Sequence, residues 1–408
     1  MNYQETLDFL YSQLPVFQRD GAKALELKLD RTLQFMHYLR DPHKDFKSVH
    51  VAGTNGKGSV SHMTASVLQH AGYKVGLYTS PHLKDFRERI RINGDCISEH
   101  KVIGFVESHR SFIEEFKPSF FELTVAVAFD HFVSQSVDIA IIEVGMGGRL
   151  DSTNVITPLL SVITNISYDH KAFLGDTLPK IAFEKAGIIK PGIPVVIGEY
   201  QEETFPVFQR QANAMHSELI KAFEQCQPQW FLNNTEFDLQ GPYQQKNRLT
   251  VITVIQQLIA EGWEVNEQAI EIGMKNAAQS TGLMGRWHWI EPRVLCDTAH
   301  NASGLAFVLK RLGELEYPQL HIVLGVVSDK DLAEILPLFP KSAKYYFVAP
   351  NINRALPAEV LKNQAQTYGL TGDSFTSVSS GLTAAKELAS PDELVFVGGS
   401  TFTVAEIV

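Results

Sequence analysis

The stretch SVHVAGTNGKGSVSHM, residues 48–63, sets a lysine inside a glycine-rich turn and follows it with hydroxyls. A standard phosphate loop has a glycine, four variable positions and then Gly-Lys-Ser/Thr. Here the Gly-Lys pair is Gly56-Lys57, Val51 stands where the first glycine belongs, and Gly58 separates Lys57 from Ser59. The residue types still suit an anion cradle. Glycine at 53, 56 and 58 permits positive φ and close backbone approach, and successive N–H groups at a helix start attract phosphate. Thr54, Asn55, Gly56, Lys57, Gly58 and Ser59 are therefore the candidate phosphate site. Lys57 would reach β/γ-phosphates, and the hydroxyl of Ser59 or Thr54 would face phosphate or a metal.

Two other stretches carry acids where such a loop would use them. In IIEVGMGGRLDSTN (141–154) an apolar run ends at Glu143, the expected place for the acidic metal partner of a phosphate loop. Gly145, Gly147 and Gly148 then make a second flexible turn, with Arg149 and Asp151 just beyond. In NISYDH, Asp169-His170 follows another apolar run. One histidine among hard oxygen donors suits Mg²⁺ or Mn²⁺, whereas zinc would want more nitrogen or sulfur.

These residues need strands and helices to place them. Short β-branched runs at 48–52, 74–79, 137–145, 159–166 and 193–198 alternate with helical patterns over 58–70, 121–134, 178–189 and 205–223. Such alternation predicts parallel strands buried on both faces, with ligands at the strands' carboxyl ends. From about Gly285 the pattern restarts, with strands over 293–299, 320–327, 344–349 and 393–399 and helices over 303–315, 332–338 and 357–368. The turn-rich AQSTGLMGR (278–286) separates them. The expected fold class is α/β: a P-loop-type, mostly parallel ATPase domain over 1–282, then a smaller Rossmann-like domain over 283–408. The crevice between two such domains is the expected place for chemistry.

Composition excludes some functions. A net charge of −10 lacks the basic face that nucleic acid requires. No apolar run approaches the roughly 18 residues of a membrane span, and the N-terminus MNYQETLDFLYSQLP lacks a secretory signal's basic start. Three cysteines, Cys96, Cys226 and Cys296, make no disulfide framework and fit a reducing cytoplasm. A global negative charge still leaves room for a local cationic cluster around an anionic small substrate.

The motifs GTNGKGS, TSPHLKDFRERIRING, EVGMGGRLDSTN, YDH, AFEKAGIIKP, MGRW and DTAHN occur in the order found in folylpolyglutamate synthases. That group includes bifunctional dihydrofolate synthases and sits with the Mur-type ATP-dependent amide ligases. The chain resembles it from about residue 28 to the C-terminus, and the altered phosphate-loop spelling is that family's own version. The resemblance implies ATP-dependent joining of L-glutamate to a folate's γ-carboxylate or to dihydropteroate, through an acyl phosphate. It implies Ser80, Glu143 and His170 as ligands of two Mg²⁺ ions, and a carbamylated Lys185. Asn247 matches an adenine contact, Arg286 and Asp297 match residues that reach ATP, and His300 is a candidate catalytic group facing the cleft. Pro81 and His82 belong to a mobile folate loop. Phe120, Phe121 and Glu122, with Leu150, Asp151 and Ser152, resemble dihydropteroate contacts. From the residues alone, Lys185 is an amphipathic-helix lysine and Phe120-Phe121 an apolar helix start. The expectation is a cytoplasmic monomer taking small-molecule substrates only. A nucleotide-switch ATPase and a Mur-type ligase for another acceptor are the rival readings.

Overall fold

The computed structural model describes residues 1–13, 29–225, 237–241 and 243–408. Cys226 lies outside them. The chain forms two compact units, Met1–Asp238 with Gln244–Gly282, and Leu239–Tyr243 with Leu283–Val408.

The first unit is built on an eight-stranded sheet: β1 (Ser48–Ala52), β2 (Val75–Tyr78), β3 (Ile90–Ile92), β4 (Asp95–Cys96), β5 (Ile139–Glu143), β6 (Leu160–Ile163), β7 (Val195–Ile197) and β8 (Leu219–Lys221). Their spatial order is β4-β3-β2-β5-β1-β6-β7-β8. From β2 to β8 all pairs are parallel. β1 and β5 are buried along their whole length, as the continuous apolar runs required. One core packs Phe105, Phe129 and Phe132 with Tyr78 and Ile142; a second packs Ile163, Ile181 and Phe208. The connection from β1 leads to β2, beyond β5, while β6 lies on β1's other flank, so the strand order reverses around β1. Ligand crevices form outside the carboxyl ends of strands at such reversals.

The phosphate-loop helix, Lys57–His70, packs against helices Gln244–Ala260, Glu267–Lys275 and Ala277–Thr281. The contact is close at Gly273, where an added Cβ would lie 2.5 Å from the Val67 Cα.

The second unit carries a six-stranded sheet: β9 (His288–Glu291), β10 (Val294–Cys296), β11 (Leu320–Leu324), β12 (Lys344–Phe347), β13 (Gly372–Ser374) and β14 (Leu394–Gly398), ordered β13-β12-β11-β14-β10-β9. All its pairs are parallel except β10 with β9.

Several expected elements change. The helix expected over 205–223 ends at Ala214; His216 takes a left-handed turn at φ 51, and Leu219–Lys221 extends the sheet as β8. The helix expected to reach Ile189 stops at Ala186, before Gly187. The one over 332–338 splits into an α-turn and a 3₁₀ turn with Pro337 near its start. The hairpin of β3 and β4 was not expected, although Asn93-Gly94, both at positive φ (48 and 86), is a strong hairpin signal.

Candidate active site

The loop after β1 has the expected strand-loop-helix form. Gly53 and Gly56 take positive φ, 147 and 86. Gly58 does not share that role, because it lies inside the helix that starts at Lys57. No side chain caps this helix start at Gly56, which leaves its first N–H groups facing the loop. Both glycines are also required by space. A Cβ on Gly53 would lie 1.8 Å from Thr164 Oγ1, and one on Gly56 would lie 2.4 Å from Asn247 Oδ1.

The segment after β6 holds the loop. Asn165 O accepts from Thr54 N at 2.8 Å, Asn165 Oδ1 accepts from Asn55 N at 2.9 Å, and Thr164 Oγ1 donates to Asn55 O at 2.6 Å. Thr54 Oγ1 donates to Ser167 O and accepts from Ser167 N. The Thr54 hydroxyl is thereby engaged with the segment after β6, whereas that of Ser59, the alternative expected from the sequence, is not tied to it. Sequence reading missed Thr164, Asn165 and Ser167; a polar run directly after an apolar strand was the available signal.

Two lysines meet on the loop's backbone. Lys57 Nζ donates to Gly53 O and Thr54 O, both at 3.1 Å, and buried Lys185 Nζ donates to Gly53 O at 2.8 Å. Burial, reinforced by the nearby Lys57 charge, lowers the Lys185 pKa to about 7; Asp169 and Asp151 oppose that shift. Lys185 is therefore more than an amphipathic-helix lysine: it is a buried amine poised near neutrality.

The second glycine turn packs on the helix that carries Lys185. A Cβ on Gly148 would lie 2.9 Å from both Glu184 O and Lys185 O. Asp151 organises this turn from within. Its Oδ2 accepts from Met146 N at 2.9 Å, and its Oδ1 accepts from Thr153 N and Thr153 Oγ1 at 3.0 and 2.6 Å. Burial raises the Asp151 pKa against these bonds. Leu150 is half-buried beside it, and Ser152 accepts from buried Thr32 at 3.1 Å.

Glu143, 4% exposed at the end of β5, accepts from Ser80 N at 3.1 Å through Oε2, so the acid and the residue after β2 do come together. His170 sits in the left-handed region at φ 49 as the N-cap of helix Lys171–Leu174, its N–H held by Asp169 at 2.9 Å. Among the described residues, no three His, Cys, Asp or Glu side chains group as a metal cage. Mg²⁺ does not demand one, since it is commonly held by one or two protein oxygens plus phosphate and water. A buried carboxylate beside a serine at strand ends fits that mode.

Phe120 is core: it stacks on Tyr11 at 5.2 Å and meets Phe86 edge-on at 5.8 Å. Phe121 is partly exposed and lies against Gly145, where a Cβ would approach its ring to 2.4 Å. Glu122 closes a capping box with Ser119, accepting from Ser119 N at 2.6 Å. Pro81 is exposed, while His82 Nδ1 accepts from the buried Arg89 Nε at 2.7 Å. Burial and the Arg89 charge hold His82 well below its ordinary pKa. Arg89 was not singled out from the sequence, where it is one of several arginines in RERIR.

Asn247 and Gln244 reach the phosphate loop from the helix Gln244–Ala260. Gln244 Nε2 donates to Ser59 Oγ at 3.1 Å, and Gln244 Oε1 accepts from Asn247 Nδ2 at 2.9 Å. Within the second unit, Asp297 is 2% exposed at the end of β10. Its Oδ2 accepts from Tyr243 OH at 2.6 Å and Trp287 N at 2.8 Å, and its Oδ1 accepts from Ala299 N at 2.8 Å. Asp297 thereby fixes the backbone next to Arg286. Arg286 donates to Gly285 O at 3.2 Å, and His300 Nδ1 lies 3.1 Å from Thr298 O.

Two domain families match: the Mur ligase middle domain over 51–241 and the Mur ligase glutamate ligase domain over 285–401. The Lacticaseibacillus casei folylpolyglutamate synthase is 30% identical, covering 100% of this chain and 98% of that protein. The chain spans about half the length of two relatives from Haloferax volcanii and Halobacterium salinarum, both probable bifunctional folylpolyglutamate synthase/dihydropteroate synthases. The structure of E. coli FolC in complex with DHPP and ADP superposes with a TM-score of 0.86 at 29% identity, covering 100% of this chain and 97% of that one. A bifunctional folylpolyglutamate synthase/dihydrofolate synthase with Mn, AMPPNP and L-glutamate bound gives 0.85 at 26% identity, with 100% and 97% coverage. With both Mur ligase domains in order and end-to-end similarity, the chain belongs to the folylpolyglutamate synthase/dihydrofolate synthase family of Mur-type ligases.

Proposed function

We propose that this protein is an ATP-dependent ligase that joins the amine of L-glutamate to the carboxylate of a folate, and to that of 7,8-dihydropteroate. The observation that carries the reading is the convergence at the carboxyl ends of neighbouring strands. The Gly53–Ser59 loop follows β1, Ser80 follows β2, Glu143 ends β5 and the loop's anchors follow β6.

A carboxylate is a poor acyl donor because its oxygen leaves badly. An ionised carboxylate oxygen attacks the γ-phosphorus, the bond to the ADP oxygen breaks, and an acyl phosphate forms. The glutamate nitrogen then adds to the acyl carbon; phosphate leaves and the nitrogen gives up its proton. The first step needs no general base, since the attacking group is already ionised at neutral pH. It needs positive charge where two anions meet. Lys57 and the N–H groups at the start of its helix supply that charge. Glu143, Ser80 and His170 would hold two Mg²⁺ ions, which neutralise phosphate charge when bound. Asp297 holds the backbone beside Arg286, a candidate ATP contact with His300 nearby in the chain. Phe121, Leu150 and Ser152, around the turn that Asp151 braces, are the candidate pteroyl contacts, with Pro81 and His82 on the mobile loop.

Lys185 is proposed to carry a carbamate. Its near-neutral pKa leaves part of the population as free amine able to add to CO₂ with loss of a proton, turning a cation into a carboxylate beside the phosphate loop. Cys96 and Cys296 are free thiols, which suits a reducing cytoplasm. The test is phosphate release with ATP, Mg²⁺ and glutamate, comparing dihydropteroate with tetrahydrofolate, and mass analysis of the products. Phosphate release and glutamyl adducts that require both co-substrates are expected. ADP formation indifferent to acceptor and glutamate would refute the ligase.

A further inference from the structure

The phosphate loop has two hydroxyls, and only one has a proton to spare. Thr54 both donates to and accepts from Ser167, so its one proton is spent on the fold. Ser59 is 1% exposed, and its oxygen accepts from Gln244 Nε2. The direction of that bond is set by the next one: Gln244 Oε1 accepts from Asn247 Nδ2, so Gln244 has only its amide hydrogens to turn toward Ser59. Asn247 is oriented in turn, with its Oδ1 lying over Gly56. Gln244 is fully buried, and both ends of its amide are used. A one-way chain therefore runs from Asn247, which covers Gly56, through Gln244 to Ser59 near the start of the helix.

We infer that Gln244 is a positioning residue that commits the Ser59 hydroxyl to donate its hydrogen to a nucleotide phosphate oxygen. With one lone pair of Ser59 occupied by an amide hydrogen, the group still to be satisfied is its O–H, and the ligand class that satisfies it is an anionic oxygen. Gln244 thus sets how Ser59 faces the site, with its O–H turned toward phosphate, while Glu143 and its neighbours remain the candidate metal ligands. The assignment rests on the ATP-dependent reading above.

Gln244→Glu tests it with little change of shape. A carboxylate at this position still accepts from Asn247 but can no longer donate to Ser59, so it takes the Ser59 hydrogen for itself. ADP binding, followed by calorimetry on the full chain, is expected to weaken about tenfold, the scale of one hydrogen bond to a charged group. Ser59→Ala is expected to weaken ADP by a similar factor with and without Mg²⁺. In the Ser59→Ala background, Gln244→Glu is expected to add less than about twofold, because the two residues act in series. If Gln244→Glu does not fold, Gln244→Met takes its place in the same cycle. Additive losses in the double variant, or a Ser59→Ala loss seen only with Mg²⁺, would overturn the inference. A wild-type chain that binds no ADP would instead sink the ligase reading itself.

Discussion

The two glycine-rich turns of the first unit follow neighbouring strands and share a backing helix, yet they are held in opposite ways. The turn after β1 is braced from outside: Thr164, Asn165 and Ser167 hold its backbone, and Asn247 covers Gly56. The turn after β5 is braced from inside by Asp151, whose carboxylate gathers Met146 and Thr153. Both end on the same helix, Leu178–Ala186. Lys185 bonds to Gly53 O, and Gly148 sits against the carbonyls of Glu184 and Lys185. The first loop borrows its rigidity, with Thr54 N and Asn55 N both tied to Asn165 after β6. A turn that shapes a pocket wall can spend its own polar groups on itself.

The comparison breaks most visibly at Lys57, the proposed phosphate contact of the outside-braced loop, whose amine caps Gly53 O and Thr54 O. Lys57→Ala is expected to lower turnover at least about a hundredfold, roughly 2.7 kcal/mol of transition-state stabilisation. The melting temperature should fall only slightly, because Thr164, Asn165 and Ser167 still hold the loop once the two Lys57 bonds to Gly53 O and Thr54 O are lost. A variant with wild-type turnover would remove Lys57 from the site.

How far this contrast was legible in the sequence differs between the turns. The strand-loop-helix around Lys57 could be read because apolar run, glycines, lysine and hydroxyl follow one another directly. Glu143 could be read for the same reason. The braces could not, because they come from distant segments: Asn165 and Gln244 reach the loop across 110 and 185 residues. Local patterning says which backbone turns sharply, and tertiary packing decides which hydroxyl remains available; hence Thr54 was expected to bind ligand and is a structural tie. Phe120, an apolar helix start from the residues alone, packs into the core, and Gly58, read both as a turn glycine and as the start of the 58–70 helix, is helical. The hairpin at Asn93-Gly94 is a different lapse, since its signal is local and strong.

Asp151→Asn sharpens the inside-braced case. The amide keeps one acceptor oxygen and presents an NH₂ group to donors, so at least one buried N–H or hydroxyl loses its partner. The expected cost is about 1–3 kcal/mol of folding stability, read from chemical denaturation. ADP affinity should change less than about twofold, because the phosphate loop has its own supports. An equal loss of ADP affinity would mean that the two turns are one mechanical unit and would dissolve the distinction.

The smallest effect tests the element the turns share. Lys185 has a folded pKa of about 7 against an ordinary lysine value of 10.5. Between those values the unfolded chain binds more protons than the folded one, so stability from this group rises as pH climbs through that window. Below about pH 7 the lysine is charged in both states and its contribution stops changing. The slope from one such proton is at most about 1.4 kcal/mol per pH unit. In CO₂-free buffer, Lys185→Met is therefore expected to flatten the rise in unfolding free energy between about pH 7 and 9. An unchanged slope would place the titrating group elsewhere. Adding ¹³C-labelled bicarbonate to the wild type extends the test to the carbamate, whose carbon resonance should appear in the wild type and be missing from the variant. A signal that survives the substitution would assign the carbamate to another amine and leave Lys185 as a cation that steadies Gly53.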